Sequence, residues 1–336
     1  MKFLDLFSGI GGFRLGLERA GHECIGFCEI DRFARDSYKA IHGTEGELEL
    51  HDITAVSDDD FRLLRGKVDI IAGGFPCQSF SIAGKREGFA NKTKGTLFFE
   101  IARAAKQIQP QLLFLENVKG LLNHDKGNTF RTILSTLDEL GYDAEWQLLN
   151  SKDFGVPQNR ERVFIIGHLR NGSGREVFPI QGNYRSSNRG HKLETELFNS
   201  TKNGDAYCIT TRTSQNYLPK HIESGKASLV KVREATKKGY SIAEKGDSIN
   251  FEHPNSKTRR GRVGKGVANT LTTSCNQGTL ENFRIRKLTP KECWRLQGFP
   301  DWDFDKAAEV NSDSQLYKQA GNSVTVNVIE AIATKF

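Results

Sequence analysis

Apolar positions in the first 170 residues come in short β-branched or aliphatic runs, separated by stretches with a helical period. Residues 3–7 read as a strand running into a glycine turn; Phe13, Leu17 and Ala20 then share one face of a helix that Gly21 closes. Residues 24–29, 68–72, 112–116, 144–150 and 162–167 have the same strand character. Helical patterns run through Phe33, Ala34 and Ile41 and over residues 97–108 and 129–140. Such alternation predicts an α/β fold, a parallel sheet covered on both faces. Only residues 151–161 join the last two strands, too few for a crossover helix, so 162–167 is predicted to run antiparallel.

After residue 175 the pattern breaks. Residues 180–285 are rich in Gly, Ser, Thr, Asn and Lys, with short strand-like pieces and no helical period, which predicts a smaller, irregular, β-rich second domain. Helix returns at Thr289-Pro290-Lys291-Glu292, a capping box with proline at its first helical position, closed by Gly298. An apolar helical stretch occupies 324–336.

Composition narrows the class. Of 336 residues, 37% are hydrophobic and 26% charged, which excludes a disordered chain. No apolar run approaches the ~18–20 residues of a membrane span. The opening Met1-Lys2-Phe3-Leu4-Asp5 meets an acid too early for a secretory signal. The six cysteines lack the density of a disulfide scaffold and the paired spacing of a zinc site, so no metal is expected and a reduced, cytoplasmic setting is.

The net charge of +7 is uneven: residues 181–290 hold 20 Lys and Arg against 9 Asp and Glu, and the rest of the chain is net acidic. That asymmetry suggests a polyanion partner, although a solvated basic face would have the same composition. The glycine-spaced Arg259, Arg260 and Arg262 are candidates for phosphate or guanine contacts.

Candidate chemistry gathers at predicted strand ends. Asp5-Leu6-Phe7-Ser8-Gly9-Ile10-Gly11-Gly12 suits close backbone approach to a ligand beside a helix N-terminus. Glu29, 20 residues after Gly9, stands where a carboxylate holds ribose hydroxyls. A glycine turn that serves only the chain reversal is the other reading. Gly16 comes too late for the dinucleotide fingerprint, so an adenosine-containing ligand is expected rather than a hydride carrier. Cys77, fixed by Pro76 and preceded by Gly73-Gly74, follows another strand, and Glu116 ends the next. Arg160 and Arg162 open the reversed strand and reach the same rim; a purely structural Glu116–Arg162 ion pair is the alternative. The polar loop between Cys77 and Leu97, with Gly84, Lys85 and Arg86, is long enough to suggest a functional lid.

These residues resemble, over nearly the whole chain, the bacterial and phage DNA (cytosine-5)-methyltransferases. Six ordered motifs carry the likeness: Asp5–Gly12, Phe75-Pro76-Cys77-Gln78, Glu116-Asn117-Val118, Gln158-Asn159-Arg160-Glu161-Arg162, residues 286–300 and Gly321-Asn322-Ser323-Val324. The resemblance implies a doubly wound, Rossmann-like methyltransferase sheet with one reversed strand. It divides the chain into a catalytic domain (1–178), a target-recognition domain (179–285), a hinge (286–310) and a returning segment (311–336). It implies S-adenosyl-L-methionine as cofactor, held by Phe7, Gly9, Gly11, Gly12, Glu29, Ile30, Asp52, Ile53, Asn322 and Ser323, with Ile30 on adenine; Asp52 could equally form a turn. Cys77, Glu116, Arg160 and Arg162 would act on a flipped-out cytosine. Duplex DNA would be met by Gln78, Ser81, Lys85, the three arginines and the Thr270-Leu271 pair. A monomer, with a cognate restriction endonuclease as a functional partner, is the expected context. An RNA cytosine as substrate, or a silent DNA-binding module on the same scaffold, are the competing readings.

Overall fold

The computed structural model describes residues 1–76, 97–170, 176–182, 208–209, 230–252, 256, 258, 260–281 and 284–336. Its centre is a seven-stranded sheet of β1 (Lys2–Leu6), β2 (Glu23–Cys28), β3 (Leu48–Leu50), β4 (Ile70–Gly74), β5 (Leu112–Val118), β6 (Tyr142–Asn150) and β7 (Glu161–Leu169). The order is β3-β2-β1-β4-β5-β7-β6. The first five strands are parallel, and β7 pairs antiparallel with both β5 and β6, as the short connection predicts. Between them lie α1 (Gly12–Arg19), α2 (Arg32–Ile41), α3 (Asp58–Arg62), α4 (Leu97–Ile108) and α5 (Asn128–Glu139).

Side-chain alternation sorts the strands between two cores. Leu4, Leu6, Leu113, Leu115, Val163 and Ile165 pack against Phe98 and Ile101 of α4 and Ile133 and Leu137 of α5. Phe3, Leu112, Phe114, Phe164 and Ile166 face the opposite way, against Phe13 and Leu17 of α1 and Val328, Ile329 and Ile332 near the chain's end.

Two small sheets lie between residues 208 and 287. One orders β10 (Tyr240–Ala243), β9 (Val230–Arg233) and β8 (Cys208–Ile209). The other orders β12 (Val263–Gly264), β11 (Ser248–Asn250), β13 (Gln277–Glu281) and β14 (Arg284–Lys287). Four helices follow: α6 (Pro290–Leu296), α7 (Asp301–Val310), α8 (Asp313–Asn322) and α9 (Val326–Ala333). Thr289 and Glu292 make the predicted capping box at α6. A third apolar cluster joins α6, α7 and α8 to Ile10 of the glycine turn and Ile41 of α2.

Sequence reading missed β3 and α3. Three residues are too few for a period, and the five-residue α3 announces itself only through the Ser57–Asp60 capping box.

Candidate active site

The turn after β1 is built on left-handed backbone: φ is +55° at Phe7, +56° at Gly9 and +85° at Gly11. Phe7 adopts it at a cost glycine avoids, which marks a constrained turn. Gly9 N donates to one oxygen of Glu29 and Asp31 N to the other, both at 2.8 Å. One carboxylate thereby fixes two strand ends. Next to it Ile30 is 69% exposed, a large apolar side chain held in the open at a sheet edge. Gly12 is where the chain's end arrives. A Cβ there would lie 2.8 Å from Val324 Cγ1 and 2.9 Å from Ser323 Oγ, so only glycine lets that segment close against the turn. Asn322 beside it is exposed.

Asp52 takes the turn-forming role: its carboxylate accepts from Thr54 N at 2.9 Å and Thr54 Oγ1 at 2.7 Å, and these bonds hold its pKa below the ordinary carboxylate range. Ile53, expected at the cofactor, turns its side chain into the core and keeps only backbone for a ligand.

On the other half of the edge, alternation puts Glu116, Arg160 and Arg162 on the face that carries Phe114 and Phe164. Arg162 Nε donates to Glu116 Oε1 at 2.9 Å, with both side chains about one-eighth exposed (14% and 12%). Glu116 stands level with Gly74 of β4, and a Cβ on Gly74 would lie 2.9 Å from its Oε2. Burial raises the Glu116 pKa, and the Arg162 and Arg160 charges oppose this without cancelling it. Arg160, 3% exposed, donates from Nη2 to Ser323 O at 2.6 Å and to Gly321 O at 3.3 Å. Its Nε and Nη1 are buried with no hydrogen-bond partner among the described residues. Burial, with Arg162 beside it, pushes its pKa below the usual guanidinium value.

Cys77, Gln78, Ser81, Lys85 and Arg259 lie outside the described residues. Phe75, two positions before the cysteine, is 3% exposed, and Asn117 Nδ2 donates to its carbonyl at 2.8 Å. Asn117 was missed as a site residue. Its place next to Glu116 was visible, but only alternation shows that it faces the other core and braces the approach to Cys77.

Two expected DNA contacts are corrected. Arg262 is buried: its Nε and Nη1 donate to Asn250 O and Arg233 O at 3.1 Å, so it ties β9 to β11 instead of reaching outward. Leu271 is 3% exposed and belongs to the cluster around Trp294. Arg260 is exposed, and Thr270 donates to Asn159 O at 2.7 Å. Among the described residues no His, Cys, Asp and Glu group could hold a metal, and no helix is long and apolar enough to cross a membrane.

The sequence profile of C-5 cytosine-specific DNA methylases matches residues 1–336. The chain is 39% identical to the type II methyltransferase M1.ScrFI of Lactococcus lactis subsp. cremoris, over 99% of this chain and 77% of the relative. It is 37% identical to M.HpaII of Haemophilus parainfluenzae, over 99% and 88%. Two solved structures share the fold. A DNA modification methyltransferase encoded within an E. coli prophage aligns with a TM-score of 0.58 at 21% identity, covering 100% of this chain and 98% of that one. The S. pombe Dnmt2 methyltransferase aligns with a TM-score of 0.59 at 18% identity, covering 98% and 96%. With a glycine turn, a carboxyl–guanidinium rim and a returning C-terminal segment on one such sheet, the chain belongs to the C-5 cytosine-specific DNA methylase family.

Proposed function

We propose that this DNA (cytosine-5)-methyltransferase moves the methyl group of S-adenosylmethionine to C5 of a cytosine flipped out of duplex DNA, with Cys77 as nucleophile. The observation that carries the reading is the Glu116 carboxyl, set at the sheet edge beside Arg162, level with the strand that leads to Cys77 and raised in pKa by burial.

The cofactor site fits its proposed occupant. Exposed Ile30 offers an apolar face to an adenine, Glu29 has oxygens beside the turn for ribose hydroxyls, and Ser323 closes the wall at Gly12. When bound, the cofactor supplies an electrophilic methyl group.

Cytosine C5 is a poor nucleophile until the ring is activated. Addition of the Cys77 thiolate to C6 makes C4–C5 part of an enamine and puts electron density on C5. Glu116, protonated to higher pH than an ordinary glutamate, donates to N3 and stabilises that charge. Arg162, fixed by Glu116, is placed for the base O2. Once C5 has taken the methyl group, with S-adenosylhomocysteine as the leaving group, loss of the C5 proton and expulsion of the thiolate restore aromaticity. A stacked base exposes neither face, so flipping precedes chemistry. Residues 179–285 read the site, the enzyme acts as a cytoplasmic monomer, and its methylation guards DNA against a cognate restriction endonuclease.

A duplex bearing 5-fluorocytosine has no C5 proton to lose, so it tests this order of steps. It should leave the enzyme covalently attached through Cys77, with S-adenosylmethionine but not S-adenosylhomocysteine, and Cys77→Ser should abolish the adduct. Burial pushes the Cys24 and Cys28 thiols up to about 12, which suits them poorly as nucleophiles. An adduct mapped to any cysteine other than Cys77 overturns the assignment.

A further inference from the structure

Gln158 and Gln297 are both fully buried, and their amides meet in the middle of the molecule. Gln158 Oε1 accepts from Leu271 N at 3.2 Å, while its Nε2 donates to Leu296 O at 2.7 Å and to Gln297 Oε1 at 3.3 Å. Gln297 Nε2 donates onward to Ala320 O at 2.7 Å and Ser323 O at 3.3 Å, and its Oε1 also accepts from Thr325 Oγ1 at 2.9 Å. Ser323 O is the carbonyl that Arg160 grips.

Around this chain the backbone is pinned too. Asn159 N donates to Ala268 O and Ala268 N to Pro157 O, so residues 268–271 lie along 157–159 like a short strand. Gly321 permits equally close passage: a Cβ there would sit 2.6 Å from the Thr272 backbone. One end of the relay is therefore residues 268–271, which lie between β12 and β13 of the small sheet. The other is the carbonyl behind the cofactor wall. Arg160 closes the loop back to the strand that carries Arg162.

A glutamine is the side chain that passes position along such a line, because it donates and accepts at once. A fully bonded buried network moves as a unit, since opening any one bond leaves polar groups unpaired.

We propose that Gln158 and Gln297 are positioning residues that couple DNA binding by the β-rich region, whose residues 268–271 they pin, to the shape of the S-adenosylmethionine wall at Ser323. The proposal rests on the cofactor and DNA readings above and adds a path of residues between the two sites. By linkage, DNA and cofactor must then tighten one another by the same factor.

The test is calorimetric titration of S-adenosylhomocysteine into the full-length enzyme, alone and with a duplex carrying the site defined by bisulfite sequencing. The duplex should tighten binding by at least ~5-fold in the wild type. In Gln158→Met and Gln297→Met that factor should fall close to one, and the double variant should lose no more than either single one, because the two act in series. A purely structural role would lower melting temperature and both affinities but leave their ratio intact, and that result overturns the proposal. So does a wild-type factor of one. Failure of the cofactor reading looks different: S-adenosylhomocysteine then does not bind the wild type with or without DNA.

Hydrogen exchange of the wild type covers the case in which the variants do not fold. S-adenosylhomocysteine alone should slow exchange in peptides spanning 268–273 as well as 318–325. Slowing confined to 318–325 and the glycine turn rejects the coupling.

Discussion

Arg162 and Arg262 are both largely buried, and the fold uses them in opposite ways. Arg162 stands on a sheet with an apolar core on either face, and its Nε goes to Glu116 at the open edge. Arg262 stands in small sheets whose apolar core, among the described residues, is Val230, Val232, Ala243, Ile249 and Leu280. There the guanidinium serves as mortar between carbonyl groups, and Glu234 accepts from the Arg262 backbone N–H at 2.6 Å. Where hydrophobic burial supplies the stability, polar groups are released for chemistry. Where it is thin, polar groups hold the structure, and counting basic residues overstates the number that meet DNA.

The largest expected effect tests the catalytic side of that contrast. Glu116→Gln should lower turnover by ~10²–10⁴-fold with DNA affinity little changed, read by single-turnover methyl transfer. Because burial raises the Glu116 pKa, its proton persists above the ordinary glutamate range, and the rate should fall as pH climbs through the shifted value. The Gln variant should lose that limb; a variant that keeps it removes Glu116 as the acid.

Packing at the cofactor wall comes next. Gly12→Ala pushes a methyl into Ser323 and Val324 and should cost about 1–3 kcal/mol, shared between stability and S-adenosylhomocysteine affinity. Unchanged melting and unchanged binding would mean that the wall is not seated on the turn.

The two arginines of the basic segment should then separate. Arg262→Ala should destabilise by about 1–3 kcal/mol through orphaned carbonyls, with the salt dependence of DNA binding unchanged. Arg260→Ala, on the surface, should leave stability within about 0.5 kcal/mol and reduce the log–log salt slope by about one. The reverse pattern breaks the comparison.

The last effect, read as a pH slope, concerns Asp5, buried with one oxygen unpartnered among the described residues and the other accepting from Tyr38 Oη at 3.3 Å. Burial pushes its pKa up from 3.8 to about 8, the Arg14 charge opposing. Between those values the folded protein keeps a proton that the unfolded chain has released, so stability is present at low pH and is lost as pH rises towards 8. Asp5→Asn should flatten this slope, so its melting temperature relative to wild type should climb with pH.

What the sequence disclosed follows the same division. The strands from β1 to β7, β3 apart, were legible because alternating and helical periods survive in a covered sheet, and the reversal of β7 followed from the length of one connection. Glu29 stood out by its spacing from Gly9, and a hydrogen bond joins the two. Arg262 misled because residue type indicates what a side chain can bond, not whether a carbonyl or a phosphate is nearer, and Leu271 because a motif pair does not show which of its side chains is buried around Trp294. Gln158 and Gln297 drew no notice as partners, since no local period links positions so far apart.

Residue 16 and residue 329 face each other across almost the entire length of the chain. A Cβ on Gly16 would lie 2.6 Å from Ile329 Cβ, so α1 is capped by a helix made long after it. At ~5–20 residues per second, the ribosome needs roughly 15–60 s between the two, and during that interval the apolar side of α1 waits uncovered. The growing chain therefore emits the proposed DNA-reading segment before the proposed methyl-donor pocket has its final wall. A nascent polypeptide tethered to its ribosome would be able to touch DNA well before it could modify it, and a chaperone with affinity for apolar helices would find its opening in that same window.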